Sequence, residues 1–214
     1  MKIQKKIKNI IFDLGGVIIN IDYNRTSRAF KELGIKDFDE IYSQAKQNNT
    51  FNAIETGNLS PEEFRSYLKK YLTNKTDLEI DTAWNSMLLD LPKKRIELLM
   101  EIKSNYRIFL LSNTNEIHVN AFTTYIEANF GKNLFEQIFE QHYYSNEIGF
   151  RKPTADAFNH VLDSNGLKAE ETLFIDDSIQ HIEGAKKVGL NTAWLEPTKD
   201  VTSLFLDKFL LAHH

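Results

Sequence analysis

Short runs of β-branched and aromatic residues recur along the chain, at residues 7–12, 107–111, 172–175 and 192–195, and each ends in turn formers. Apolar runs of this length, with little polar interruption, predict strands buried on both faces. Between the later runs the apolar positions return at helical spacing, over 154–164 and 178–188, and Gly166 and Gly189 stand where such helices stop. Strand alternating with helix predicts a parallel sheet. From residue 20 to residue 90 the strand signals disappear and helical ones dominate, as at 38–46 and in SPEEFRSYLKKYL. There Ser60, Pro61 and Glu63 compose a capping box with proline at the first helical position. An all-helical stretch inserted after the first strand predicts a separate small domain. Residues 20–90 are thus expected to form a helical unit inserted into an α/β core made of 1–19 and 91–214. A helix over 92–105 returns the chain to the sheet.

Composition narrows the chemistry. The 214 residues contain no cysteine, which excludes disulfides, a thiolate nucleophile and cysteine-ligated metals. Any metal site uses oxygen or imidazole. The start is basic, but Asp13 interrupts its apolar run early, far short of a signal-peptide core. Nowhere do about 18 apolar residues run together. The expectation is a soluble, cytoplasmic protein that does not enter a membrane. Net charge is −4, with lysines scattered rather than striped, which argues against nucleic acid and for a small metabolite as partner.

The polar residues that follow the strands carry the candidate chemistry. In an open parallel sheet, ligands bind at the carboxyl ends of the strands. Asp13 follows the first strand, Ser112 and Asn113 follow the second, and Asp176 with Asp177 follow the run at 172–175; Arg151 and Lys152 sit in GFRKP. A lone strand-end aspartate is more often a helix cap than a catalyst. Its company reverses that reading here. Adjacent carboxylates repel unless a cation compensates them, and an all-oxygen set suits magnesium, which bridges to phosphate. With that cation and Lys152 neutralising phosphoryl oxygens, Asp13 can attack phosphorus. The histidines at 118, 142, 160 and 181 show no paired ligand spacing and receive no role.

In this order, strand-end Asp13, strand-end Ser112, Lys152 and the acidic pair Asp176 and Asp177 resemble the haloacid dehalogenase-like superfamily. FDLGGVIINIDYNR, LLSNTN, GFRKP and FIDDSIQHIEGA are similar to its branch of bacterial glucose-1-phosphate phosphatases. The resemblance implies a Rossmann-like core with an inserted helical cap and a magnesium-dependent phosphatase of a small phosphorylated metabolite, with glucose 1-phosphate as a lead. It implies Asp13 as nucleophile and metal ligand, Gly15 as a carbonyl ligand, and Asp177 with Asp176 completing the metal shell. Ser112 and Asn113 would hold the phosphoryl group and Lys152 would stabilise its charge. Arg25, Phe51, Asn52 and Glu55 are candidates for substrate contact from the cap. Two positions depart from the family's pattern: Gly15 stands where most of its phosphatases carry a second aspartate, the general acid and base, and His181 where asparagine is usual. The alternatives are a pseudophosphatase that binds without turnover and, further off, a 2-haloacid dehalogenase.

Overall fold

The computed structural model describes residues 7–47, 49–206 and 209–210; the basic start at 1–6 and His213 and His214 lie outside them. Five strands form one parallel sheet in the order β3-β2-β1-β4-β5. They are β1 (Asn9–Phe12), β2 (Arg107–Ser112), β3 (Gln141–Tyr144), β4 (Thr172–Asp176) and β5 (Asn191–Trp194). Alternation along β1 divides the core. Ile10 and Phe12 join Ile108, Leu110, Leu173 and Ile175 on one face, and Ile11 joins Phe109, Leu111 and Phe174 on the other. Both faces are covered, which is why the strands read as near-continuous apolar runs. Each fully buried Phe or Ile contributes about 1.5–3 kcal/mol.

Helices α1 (Tyr23–Leu33), α2 (Phe38–Gln47), α3 (Thr50–Glu55), α4 (Pro61–Lys69) and α5 (Asp77–Asn85) follow β1. They share an apolar core that includes Phe30, Phe38, Phe51, Ile54, Phe64, Leu68, Ile80 and Trp84. Capping explains their starts: Asp22 accepts from the Asn24 amide, and Ser60–Glu63 and Thr76–Glu79 form capping boxes. This core also receives Ile117, from the next long helix after the sheet resumes. The two connections to the sheet run side by side, joined by Asn20 N to Asp90 O, Leu89 N to Asn20 O and Asp22 N to Met87 O, each 2.9 Å.

Helix α6 (Lys93–Ile102) leads into β2, ending earlier than its apolar pattern suggests. Then come α7 (Glu116–Phe130), α8 (Leu134–Ile138), α9 (Ser145–Ile148), α10 (Ala155–Asn165) and α11 (Ile179–Lys187), with a short hairpin of β6 (Phe205–Leu206) and β7 (Phe209–Leu210) last. Strand β3 falls outside the apolar runs of the sequence. Buried Arg95 of α6 donates to the Ile18 carbonyl at 3.1 Å and to Asp200 Oδ2 at 3.1 Å, tying the loop after β1 to the C-terminal segment.

From β1 the chain adds β2 and then β3 on one side, then crosses to add β4 and β5 on the other. The strand order therefore reverses between β1 and β4. Crevices in such sheets open at that point, beyond the carboxyl ends of the strands.

Candidate active site

Asp13 leaves β1 and Asp176 ends β4, so both emerge at the reversal point. Lys152 joins them. Its loop is bracketed by Asn113: the Asn113 amide Nδ2 donates to the Lys152 carbonyl, and the Lys152 N–H donates to Asn113 Oδ1, both at 2.9 Å. The Lys152–Pro153 peptide is cis. Held this way, the Lys152 side chain turns inward and is completely buried. Its Nζ donates to Asp13 Oδ1 at 2.5 Å and to Asp176 Oδ2 at 2.7 Å.

Asp176 is fully enclosed. Its Oδ1 accepts from the Ser178 N–H at 2.7 Å, and His181 Nδ1 lies 3.0 and 3.1 Å from its two oxygens. Asp177 is more open, and its backbone carbonyl accepts from Trp194 Nε1 at 2.9 Å. Asp13, Asp176 and Asp177 each offer one oxygen, and these lie within 4.8 Å of one another. Gly16 makes this convergence possible. With φ at 78°, it passes so near Asp177 that a Cβ there would sit 2.2 Å from Oδ2.

Three carboxylates around one ammonium set the local electrostatics. Burial pushes the Asp13 carboxyl up to about 7; Lys152 opposes the rise, and Asp176 and Asp177 add to it. Burial also raises Asp177, helped by the charge of Asp176. Burial alone would raise Asp176, but Lys152 and His181 overcome it and hold the carboxyl below its usual value. Lys152 is the mirror case: burial works to discharge it, and Asp13 and Asp176 keep it above the ordinary lysine value.

A cleft of about 520 Å³ opens over Asp13. Gly15, Asn113, Asp177, Ser178 and His181 line it from the sheet side, and Tyr23, Tyr42, Phe51, Asn52 and Glu55 from the helices. Arg151 spans the two sides, its Nε 2.9 Å from Glu55 Oε2 and its Nη1 donating to Asn52 Oδ1. Of the sequence candidates, Asp13, Gly15, Asn113 and Asp177 face the cleft. Lys152 and Asp176 lie buried behind it, and Ser112 is buried at the end of β2. Phe51, Asn52 and Glu55 also line it, whereas Arg25 does not. His181 and Arg151 had no assigned task in the sequence; His181's departure from the expected asparagine was the available signal. A hollow of about 670 Å³ at the opposite, amino end of the strands has none of the three carboxylates.

A parallel α/β fold with a carboxylate–lysine site at its reversal point defines an enzyme built to handle an anionic group. Residues 7–189 match the model of the haloacid dehalogenase-like hydrolases, and the chain belongs to that family. It is 30% identical over 187 residues to the D-ribitol-5-phosphate phosphatase of Bacteroides thetaiotaomicron, a match covering 87% of this chain and 90% of that one. Among solved structures it is similar to a family enzyme from the same organism, determined in complex with magnesium and inorganic phosphate: TM-score 0.84, 35% identity, 94% of this chain and 100% of that one. A family hydrolase from Porphyromonas gingivalis matches with a TM-score of 0.80 and 31% identity over 90% of this chain and 93% of that one. No helix among the described residues is long and apolar enough to cross a membrane.

Proposed function

We propose that this enzyme is a phosphatase of small sugar or polyol phosphates that transfers the phosphoryl group to Asp13 and then to water, with magnesium as cofactor. The observation that carries this reading is Lys152 Nζ, fully buried and bonded to both Asp13 and Asp176. A wholly buried lysine with two carboxylates, beside a third, is an anion-handling centre in need of one more cation. The oxygen-only donor set fits magnesium, with Asp13, Asp177 and the Gly15 carbonyl as ligands and Asp176 close enough to join them. Once bound, magnesium supplies charge neutralisation to the phosphoryl oxygens.

The remaining work falls to the chain. An Asp13 oxygen attacks phosphorus, the P–O bond to the leaving alcohol breaks, and the alcohol oxygen takes a proton from water. The resemblance gives Ser112 and Asn113 the task of holding the phosphoryl group; the Asn113 side chain is engaged by the Lys152 backbone, which leaves its backbone amide for that task. Lys152 stabilises the phosphoryl charge, kept in line by Asp176. Water then attacks the aspartyl-phosphate, releasing inorganic phosphate and restoring Asp13. Helices α1–α5, within residues 20–90, act as a cap that closes over the substrate. The relative's substrate, a polyol phosphate, and the glucose 1-phosphate suggested by sequence are both small polyhydroxylated monoesters, which sets the class.

Turnover across a panel of sugar and polyol phosphates, with magnesium and then with chelator, tests the reading. Activity should vanish in chelator, and Asp13→Asn should lower it by at least about 10³-fold. The variant should melt no lower than wild type, because Lys152 keeps Asp176 and one of three crowded carboxylates is neutralised. Retained turnover in a folded Asp13→Asn variant removes the nucleophile.

A further inference from the structure

The part of the cleft formed by α3 and Arg151 has a composition of its own. Among the described residues that line it, Arg151 is the one lysine or arginine, and its guanidinium is already engaged by Glu55 and Asn52. These three side chains belong to opposite walls, Asn52 and Glu55 on α3 and Arg151 on the loop that carries Lys152. The Arg151 and Glu55 side chains are 31% and 27% exposed, so they face the cleft without being free in solvent. Aromatic rings complete this part. Tyr42 and Phe51 lie with centroids 4.4 Å apart, and Phe51 stacks on Trp84 at 5.5 Å and 14°. Burial, then the charge of Glu55, holds the Tyr42 phenol above its usual value, so it remains a donor.

Carboxylate and amide oxygens accept from hydroxyls, guanidinium and phenol donate to them, and ring faces pack against C–H surfaces. Among the described residues lining the cleft, no lysine or arginine is left without a counter-charge to take a second anion. We propose that Glu55, Asn52 and Arg151 form the specificity element of this enzyme, reading adjacent hydroxyls of an uncharged polyhydroxylated leaving group and rejecting leaving groups that carry a second phosphate or a carboxylate. This rests on the phosphatase reading above. The rejection has a physical origin: to bind a second anion, Arg151 must abandon Glu55, leaving a carboxylate beside the incoming charge.

The test uses the full chain with magnesium and three probes: D-ribitol 5-phosphate, phenyl phosphate, which has no hydroxyls, and a hexose 1,6-bisphosphate. Glu55→Ala and Asn52→Ala should lower kcat/KM for the polyol phosphate by about 10²-fold or more, chiefly through KM, since sites built to bond hydroxyls lose most when that bond is lost. Phenyl phosphate turnover should change less than about threefold, within the reach of a lost uniform contact; it also reports that each variant is folded and its phosphoryl site intact. Glu55→Gln, which frees Arg151 from its counter-charge, should improve the bisphosphate relative to the polyol phosphate by about tenfold or more. Equal losses on polyol and phenyl phosphates would reduce Glu55 to a structural contact and overturn the proposal, as would a wild type that prefers the bisphosphate. A wild type that turns over none of the three probes would instead remove the phosphatase reading beneath it.

Discussion

Gly15 and Gly16 are neighbours, but they constrain the site differently. Gly16 has no room for any side chain, because Asp177 occupies the place of its Cβ. Gly15 has more room: the nearest atoms a Cβ there would meet belong to the Ile21 side chain, Cδ1 at 3.1 Å and Cγ2 at 3.6 Å, and the end of an isoleucine can give way by a few tenths of an ångström. The missing proton donor is therefore not enforced by packing. A positioned general acid is typically worth about 10² to 10⁴ in rate, so turnover should depend steeply on leaving-group pKa. Aryl and anomeric phosphates should lead primary alkyl phosphates at saturation, and Gly15→Asp should flatten the slope. A flat wild-type dependence would contradict this. Asp22 is poorly placed to stand in, since it caps α1 through the Asn24 amide at 3.0 Å. A second consequence follows from Asp13, whose carboxyl burial lifts to about 7. Magnesium binds the ionised form, so protons compete with it below that value and no longer above it. Calorimetric titration should show affinity falling by up to about tenfold per pH unit below pH 7 and levelling off above it; a flat profile across neutrality contradicts it. Asp13, Lys152, Asp176 and Asp177 were legible in sequence because each follows a readable strand or motif. The Arg151–Glu55 contact was not, since nothing in local sequence tells which side of a helix faces a distant loop.

At the scale of elements, the site depends on how closely α11 packs against the loop after Lys152. A Cβ on Gly184 would lie 2.4 Å from the Pro153 carbonyl oxygen and 2.7 Å from Pro153 Cβ. Alanine is the better helix former by roughly 1 kcal/mol, but overpacking against backbone costs about 1–3 kcal/mol and should win. Gly184→Ala should lower the denaturation midpoint. It should also lower kcat by on the order of 10²-fold, because displacing Pro153 displaces Lys152 from Asp13. Unchanged kcat in the variant would mean that α11 does not set the lysine's position. The helices here were readable from spacing and stop glycines: α2, α10 and α11 fall within about one residue of the periodic segments, inside ordinary boundary disagreement. Strand β3 was not readable. Its sequence is QHYY, with Gln141 exposed and only Tyr143 and Tyr144 buried, because it lies at the sheet edge. A four-residue edge strand need not carry an apolar run.

For the whole molecule, the strand order assembles a site from segments that are remote in sequence. Parallel pairing in register brings Phe12 beside Leu110 and Ile175, so the residues that follow these strands share one rim. Order along the chain made this arrangement legible, as alternating strands and helices imply parallel pairing and right-handed crossovers. The inserted helices add the second wall, tied to the first by Arg151 at the cleft and by Trp84 at depth, where its ring stacks on His118 at 5.1 Å. Which of their side chains would line the cleft depends on that docking, and so the sequence named Arg25 together with Phe51, Asn52 and Glu55. The proposed function turns on one chemical act, transfer of a phosphoryl group to Asp13. The direct measurement is mass spectrometry of enzyme quenched in acid within the first turnover on an aryl phosphate with magnesium. The account predicts a phosphoryl adduct on the peptide containing Asp13, formed with a burst of leaving group, because Gly15 offers no side chain to activate water for the second step. Turnover without any adduct at Asp13, or an adduct on another residue, would contradict it.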